Sequence, residues 1–179
     1  MVKQRLVVDA DDRPVALEDS ASVEDDAPLA GTSSGQRSEN RAFWASFISQ
    51  VRFDHPDQTA PVHGGNNWVR MTMPSPGRWI TGFRDAGQVG FFLVNERTEA
   101  VEGLPNELAD LRTESGLSDL IFRPFNKHGP ATAFVTRPRA SFADEEAQLL
   151  WLADTANRLV NAFRPRLARL GAKGSWPPP

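Results

Sequence analysis

Three short runs of strand-forming residues lie in the middle of the chain, and they constrain its fold more than any other part. The runs cover residues 68–73, 78–84 and 89–95, and the turn-forming segments Pro-Ser-Pro-Gly and Asp-Ala-Gly-Gln separate them. Runs of this composition joined by such turns are typical of an antiparallel meander. The first run alternates, which predicts one sheet face with Val69, Met71 and Met73 and an opposite face with Trp68, Arg70 and Thr72.

Helices are predicted on both sides of this meander. Before it, an apolar stripe with helical spacing is formed by Phe43, Trp44, Phe47, Ile48 and Val51. We expect Ser38 to cap this helix and residues 53–67 to form a long loop after it. A long final helix is predicted to start at Ser141 with a cap that involves Asp144, and Pro165 is expected to end or kink it.

A short helix and two more strands are predicted between the meander and the final helix. Pro105 suits the first turn of the short helix, and Gly116 suits its end. Residues 120–123 and 132–136 have strand composition. Because the strands come in runs and do not alternate with helices, the pattern predicts an α+β fold. We expect about five mostly antiparallel strands, a meander plus a hairpin, with the helices packed on one face.

The length of 179 residues suits one domain with a sizeable core. We predict a β-like segment and an acidic flexible linker at residues 1–37, a single α+β domain at 38–170 and a loose Pro-rich tail at 171–179. The chain has no cysteine, which excludes disulfides, thiolate zinc sites and a cysteine nucleophile. Its acidic N-terminal segment does not have the basic and apolar regions typical of a signal peptide, and no apolar run approaches the ~20 residues of a membrane span. We therefore expect a soluble, cytoplasmic protein with no membrane partner.

Charge is unevenly distributed along the chain. Residues 1–36 hold eight acids and three bases, a net charge of −5, so the remainder carries +2 of the overall −3. Of the twenty basic residues only three are lysines, and seventeen are arginines. The planar arginine fork suits bidentate contact with phosphate or carboxylate, although a GC-rich genome produces the same bias.

The arginines suggest a nucleic-acid surface. Trp68 and Arg70 share a predicted strand face, where backbone contact and base stacking could combine, and only basic charges follow Asp154. The predicted contacts are Arg70, Arg84, Arg158, Arg164, Arg166, Arg169 and Trp68. Two structural roles also account for these residues: basic residues late in a helix favour its dipole, and a strand tryptophan more often belongs to the core. The acidic N-terminal segment could cover such a face in cis.

The predicted loop at 53–67 contains a second candidate site. Two histidines, a carboxylate and an amide could bind a metal ion or perform acid–base chemistry: His55, Asp57, His63 and Asn66. Their spacing matches no zinc pattern, and histidines in a loop rich in Gly and Pro are often only solvated. Gly64 and Gly65 indicate a tight turn. We expect neither a cofactor nor a bound metal ion.

Several apolar segments resemble those of a known family. They are Phe43-Trp-Ala-Ser-Phe-Ile48, Asn67-Trp68, Gly90-Phe-Phe-Leu-Val-Asn95, the leucine-rich short helix, and the acid-started final helix through Trp151-Leu152 to Phe163-Arg164. Over residues 40–170 the chain resembles an uncharacterised bacterial domain family that is often found C-terminal to PD-(D/E)XK restriction-type nuclease domains. The resemblance implies an α+β accessory domain in DNA-processing or defence proteins, and it supplies no catalytic residues.

A nuclease site of that type is not present in the sequence. It needs an acid two positions before a lysine, and Met1, Phe125 and Gly171 stand at those positions instead. We therefore expect a non-enzymatic accessory domain that binds nucleic acid, or a nuclease or other nucleic-acid-acting partner. The alternatives are a protein-interaction module or homodimer with no nucleic-acid role, and a metal-dependent hydrolase that uses the 55–67 loop.

Overall fold

The computed structural model describes residues 34–64, 68–96, 101–124 and 131–174. The predicted β-like segment, most of the acidic linker and the end of the Pro-rich tail lie outside these residues. In chain order the elements are α1 (Ser34–Gln50), β1 (Val62–His63), β2 (Trp68–Thr72), β3 (Gly77–Arg84), β4 (Gln88–Asn95), α2 (Leu108–Ser115), β5 (Ile121–Pro124), β6 (Ala131–Pro138) and α3 (Glu145–Gly174). Within the described ranges, no helix combines the length and the apolar character that crossing a membrane requires.

The described strands form one antiparallel sheet in the order β1–β2–β3–β4–β6–β5. The meander β2–β3–β4 is confirmed, and Asp85 stabilises its second turn by accepting backbone hydrogen bonds from Gly87 at 2.8 Å and Gln88 at 2.7 Å. The α+β class with a long C-terminal helix is confirmed as well. Six strands are present where the pattern predicts about five.

The additional strand lies in the region for which the sequence predicts a structureless loop. Val62 pairs with Arg70, and His63 pairs with Val69. A strand of two residues is too short to show an alternating pattern, so its existence depends on the edge that β2 offers. The prediction of one continuous loop over 53–67 is therefore wrong at residues 62–63.

All three helices pack on one face of the sheet, which we call the inner face. The predicted alternation is confirmed, because Val69, Met71 and Met73 are buried there. Helix α1 contributes Phe43, Trp44 and Phe47 to the same core, and α2 contributes Leu111. Helix α3 adds the largest set, which includes Leu152, Leu159, Val160, Phe163 and Leu167.

Several helix ends differ from the prediction. Helix α1 begins at Ser34, so Ser38 lies inside it and is not its cap. Helix α3 begins at Glu145, and Asp144 alone caps it by accepting a hydrogen bond from the Ala147 backbone N–H at 2.8 Å. The hydroxyl of Ser141 instead donates to the Pro138 carbonyl at 2.6 Å.

Helix α3 also continues through Pro165 to Gly174, so proline neither ends it nor leaves residues 171–174 in a loose tail. The side chain of Pro165 points to solvent, and Leu167 on the opposite side is completely buried. Burial beyond the proline therefore offsets the lost backbone hydrogen bond. The predicted terminator Gly116 does end α2, in the left-handed conformation with φ of 67°.

Candidate nucleic-acid interface

The outer face of the sheet, opposite the helices, carries the side chains that alternate with the core positions of each strand. On β2 these are Trp68, Arg70 and Thr72, and the pairing of β2 with β3 places Trp79 opposite Thr72. Arg70 is therefore flanked along the strand direction by one indole from its own strand and one from the neighbouring strand.

The guanidinium of Arg70 stacks on both indoles. Its Cζ atom lies 3.9 Å from the ring centroid of Trp68 and 3.9 Å from that of Trp79. Arg78, at the irregular start of β3, places its own Cζ atom 4.0 Å from the Trp79 centroid. The contacts run Trp68–Arg70–Trp79–Arg78, and we call these four residues the arginine–tryptophan column. Each such cation–π contact contributes about 0.5–2 kcal/mol, depending on how far it is removed from water.

Exposure increases along the column. Trp68 is buried at 7% exposure, Arg70 and Trp79 are half-buried, and Arg78 is exposed. Trp68, which the sequence predicts as a nucleic-acid contact, therefore does not offer an exposed aromatic ring. Gly64 packs directly on its indole, where a Cβ atom would overlap the ring, and Arg70 stacks on it.

Arg164 reaches the end of β2 from helix α3. Its Nη1 donates to the Thr72 carbonyl at 3.2 Å and to Gln58 Oε1 at 2.9 Å. Thr72 lies past the end of β1, which pairs only with Val69 and Arg70. Arg164 therefore contacts the last residue of β2 from the helix side of the sheet, whereas Arg70 lies at the middle of this strand on the outer face.

The column lies in a sheet with an unbalanced charge. The six described strands contain five arginines and no aspartate or glutamate. On the outer face Arg123 of β5 also stacks on an aromatic ring, with its Cζ atom 4.0 Å from the centroid of Phe134. Phe134 belongs to a small buried cluster with Phe83 and Phe92.

Arg84 lies on the inner face, and its contacts stabilise the fold. Its Nη1 donates to Asn40 Oδ1 and its Nη2 to Glu145 Oε2, both at 3.0 Å, and its Cζ lies 4.2 Å above the Phe43 ring centroid. Burial, followed by the charge of Arg139, lowers the pKa of this guanidinium, and Glu145 opposes that effect. A side chain that is 4% exposed and engaged in this way cannot reach a phosphate without disrupting the core.

Arg166 joins α3 to α2. Its Nε donates to Glu107 at 2.9 Å, while Nη1 and Nη2 donate to the two carboxylate oxygens of Glu114 at 2.8 Å and 2.7 Å. The hydrogen bond from Arg166 lowers the pKa of Glu114, and the same bond raises the pKa of Arg166. This bidentate pair of a buried guanidinium and an exposed carboxylate is a structural clamp.

The last two predicted arginines lie on α3, away from the column. Arg158 forms an ion pair with Asp154 at 2.8 Å, and Arg169 is exposed on the side of the helix that faces Glu114. The six predicted arginines therefore do not share one surface. The charge pattern also missed Arg78, Trp79 and Arg123, although the strand register of the meander contains the information that places Trp79 beside Arg70.

The second predicted site does not assemble in the described part of the chain. His55 and Asp57 lie in the loop after α1, where the Asp57 backbone N–H donates to His55 Nδ1 at 3.3 Å, while His63 belongs to β1. Asn66 lies outside the described residues. Among the residues that the structure describes, no group of His, Cys, Asp or Glu could hold a metal ion.

The cavity between sheet and α3 does not suit a small molecule. Its lining is apolar and includes Ile80, Phe91, Leu120 and Phe163, and its volume is about 10 Å³. This is roughly the space that one water molecule needs.

No protein-family model matches this chain, and neither a curated protein nor a solved structure matches it. The resemblance to the nuclease-associated domain family therefore stays a prediction.

Proposed function

We propose that this protein is a non-enzymatic accessory domain that binds nucleic acid through the arginine–tryptophan column and through Arg164, which contacts the end of β2. The observation that carries the proposal is the stacking of Arg70 on the indoles of Trp68 and Trp79. The exposed Arg78 also stacks on Trp79. Stacking holds each guanidinium by its face and directs its N–H donors along its edge, which is the arrangement that phosphate binding uses.

The site is smaller than the one that the charge pattern suggested. Arg84 and Arg166 are held by carboxylates within the fold, and the phosphate contacts that we propose are Arg70, Arg78 and Arg164. Three neutralised phosphates give a slope of log K against log salt of about −2 to −3, which is the expected salt dependence. A bacterial DNA-processing or defence setting, with a nuclease as partner, follows from the resemblance alone.

The test is fluorescence anisotropy with labelled single- and double-stranded oligonucleotides at several salt concentrations. Arg78→Ala removes an exposed side chain, so we expect a folded variant with weaker binding and a salt slope reduced by about 0.7–0.9. Arg41→Ala on α1 is the matched control, because Arg41 is also exposed and lies outside the column. A flat salt dependence, or equal losses in the two variants, would contradict the proposal.

A protein-interaction module or homodimer is the second candidate. It is favoured by three exposed hydrophobic side chains, Val62 on the edge strand β1, Ile121 on the edge strand β5 and Leu150 on α3. Edge strands with exposed apolar residues can pair with another chain. Light scattering across a concentration series tests it, and Ile121→Lys is expected to weaken any self-association that uses β5.

A further inference from the structure

We infer that residues 54–64, which we call the edge strap, cover the edge of β2 and open from it as a unit while the rest of the sheet stays folded. The strap contains β1 and lies between α1 and β2 in the chain. The inference concerns a conformational device in the fold and goes beyond the proposed nucleic-acid binding, on which it does not depend. Its basis is that the strap is attached mainly by polar bonds at the surface.

The strap buries little apolar surface. Within residues 54–64 only Pro61 is buried, and both residues of β1 are exposed, Val62 at 57%. The pairing of β1 with β2 covers two residue pairs, whereas β2 and β3 pair over five. Segments with few buried contacts open locally at a lower free energy than the core of a sheet. We therefore expect the strap to open without unfolding the meander.

Two sets of hydrogen bonds attach the strap to α3. The backbone N–H of Asp54 donates to Asn157 Oδ1 at 3.0 Å, and the side-chain amide of Asn157 donates back to Asp54 Oδ2 at 2.7 Å. Further along the strap, Gln58 Oε1 accepts from Arg164 Nη1 at 2.9 Å, and the same nitrogen donates to the Thr72 carbonyl of β2. These strap residues are exposed or half-buried, so water can replace their partners when the strap opens.

Hydrogen bonds within the strap connect its two ends. The N–H groups of Asp57 and Gln58 both donate to His55, the first to its Nδ1 at 3.3 Å and the second to its carbonyl at 3.1 Å. At the end that lies on β2, the Gly64 N–H donates to the Trp68 carbonyl at 3.2 Å. A segment organised by its own bonds moves as one cooperative unit, so release at α3 and release at β2 are coupled.

Opening changes the surface of the sheet at β2. In the closed state β1 pairs with this edge, and Gly64 packs on the indole of Trp68. In the open state the edge presents unpaired backbone N–H and C=O groups, which is the state that folded proteins generally cover. The strap therefore switches this edge of the sheet between a paired and an unpaired state.

Amide hydrogen exchange of the full chain, followed by NMR, tests the inference. The Gly64 N–H reports release of the strap from β2, and the slowest amides of β4, one of the two central strands, report unfolding of the sheet. We expect Gly64 to be protected about tenfold less than these β4 amides, or weaker still. Equal protection would overturn the inference, because the strap would then open only when the whole sheet unfolds.

Asn157→Ala tests whether the strap opens as a unit. It removes the attachment of Asp54, at the opposite end of the strap from Gly64, and we expect exchange at Gly64 to become about fivefold to thirtyfold faster with β4 unchanged. Asn161→Ala, about one turn further along α3 and exposed, is the control and should leave Gly64 unchanged. A response of Asp54 alone, or an equal acceleration of Gly64 and β4, would overturn the inference.

Discussion

Asn40 and Arg84 hold each other through two hydrogen bonds between α1 and the end of β3. The side-chain amide of Asn40 donates to the Arg84 carbonyl at 3.1 Å, and the guanidinium of Arg84 donates back to Asn40 Oδ1 at 3.0 Å. Both side chains are buried, with 0% exposure for Asn40. One amide therefore satisfies a backbone acceptor and a buried cation at the same time.

Replacing Asn40 is expected to destabilise the fold. Asn40→Ala leaves the Arg84 carbonyl and one guanidinium N–H without these partners, which costs about 1.5–3 kcal/mol for a bond to a charged group. Urea denaturation measures the loss. Asn161→Ala on α3 is the control, because Asn161 is exposed and the same helix-favouring change is made there. Equal midpoints for the two variants would show that the Asn40 bonds contribute nothing.

The clamp between Arg166 and Glu114 makes stability depend on pH. Because the hydrogen bond from Arg166 lowers the pKa of Glu114 below its ordinary 4.5, the unfolded chain binds this proton more readily than the folded one. The stabilisation is thus fully present above the ordinary pKa and is lost as the pH falls through the lowered one. Glu114→Gln should reduce the urea midpoint near neutral pH and have progressively less effect as the solution becomes acidic.

A double-mutant cycle checks the source of that pH dependence. In an Arg166→Met background the partner of Glu114 is absent, so Glu114→Gln should lose its pH-dependent effect. Methionine places an unbranched apolar side chain at this buried position. The carboxylates of Glu107 and Glu114, which lose their partner, are partly exposed. If Glu114→Gln acts equally in both backgrounds, the lowered pKa has another origin.

Close packing at the end of α3 explains why the helix continues beyond Pro165. A Cβ atom on Gly171 would overlap the Ser75 carbonyl, so α3 lies directly on the turn between β2 and β3. Gly171→Ala should therefore cost about 1–3 kcal/mol, because backbone must move to accept the methyl group. Gly35→Ala in α1 is the control, since open space surrounds that position and alanine favours a helix. Thermal denaturation should shift in opposite directions for the two variants.

Local sequence patterns predict the helices and strands but not the side-chain ion pairs that connect them. Alternation and helical spacing identify the meander, the apolar stripe of α1 and the long final helix, because these depend on residues a few positions apart. The carboxylates that hold Arg84 and Arg166 are 52 to 61 residues away along the chain. Nothing local marks such partners, so the sequence does not distinguish these two arginines from Arg70.

The arginine–tryptophan column is predictable from the sequence only in part. Arg70 and Trp68 share a face through simple alternation, which the sequence predicts. The contact with Trp79 also requires the register that pairs Thr72 with Trp79 across the turn, and the irregular start of β3 that brings in Arg78. The Pro-Ser-Pro-Gly turn indicates the register that pairs Thr72 with Trp79. The irregular start of β3 that brings in Arg78 is visible only in the folded sheet.

Gly64 is expected to determine the position of Trp68, the buried end of the column. A Cβ atom at this position would overlap the indole of Trp68, so Gly64→Ala should displace the ring and deprive Arg70 of one of its two stacking partners. We expect a stability loss of about 1–3 kcal/mol from overpacking, a changed near-ultraviolet circular dichroism signal from tryptophan, and weaker oligonucleotide binding.

Gly87→Ala is the control for this change, because the nearest atom to a Cβ there lies 3.8 Å away. It should leave the tryptophan signal and the binding as they are in the parent protein. A Gly64→Ala variant that changes the tryptophan signal but binds oligonucleotides with unchanged affinity and salt slope would show that the stacked position of Arg70 is not required. Phosphate contact would then have to be assigned to Arg78 and Arg164 alone.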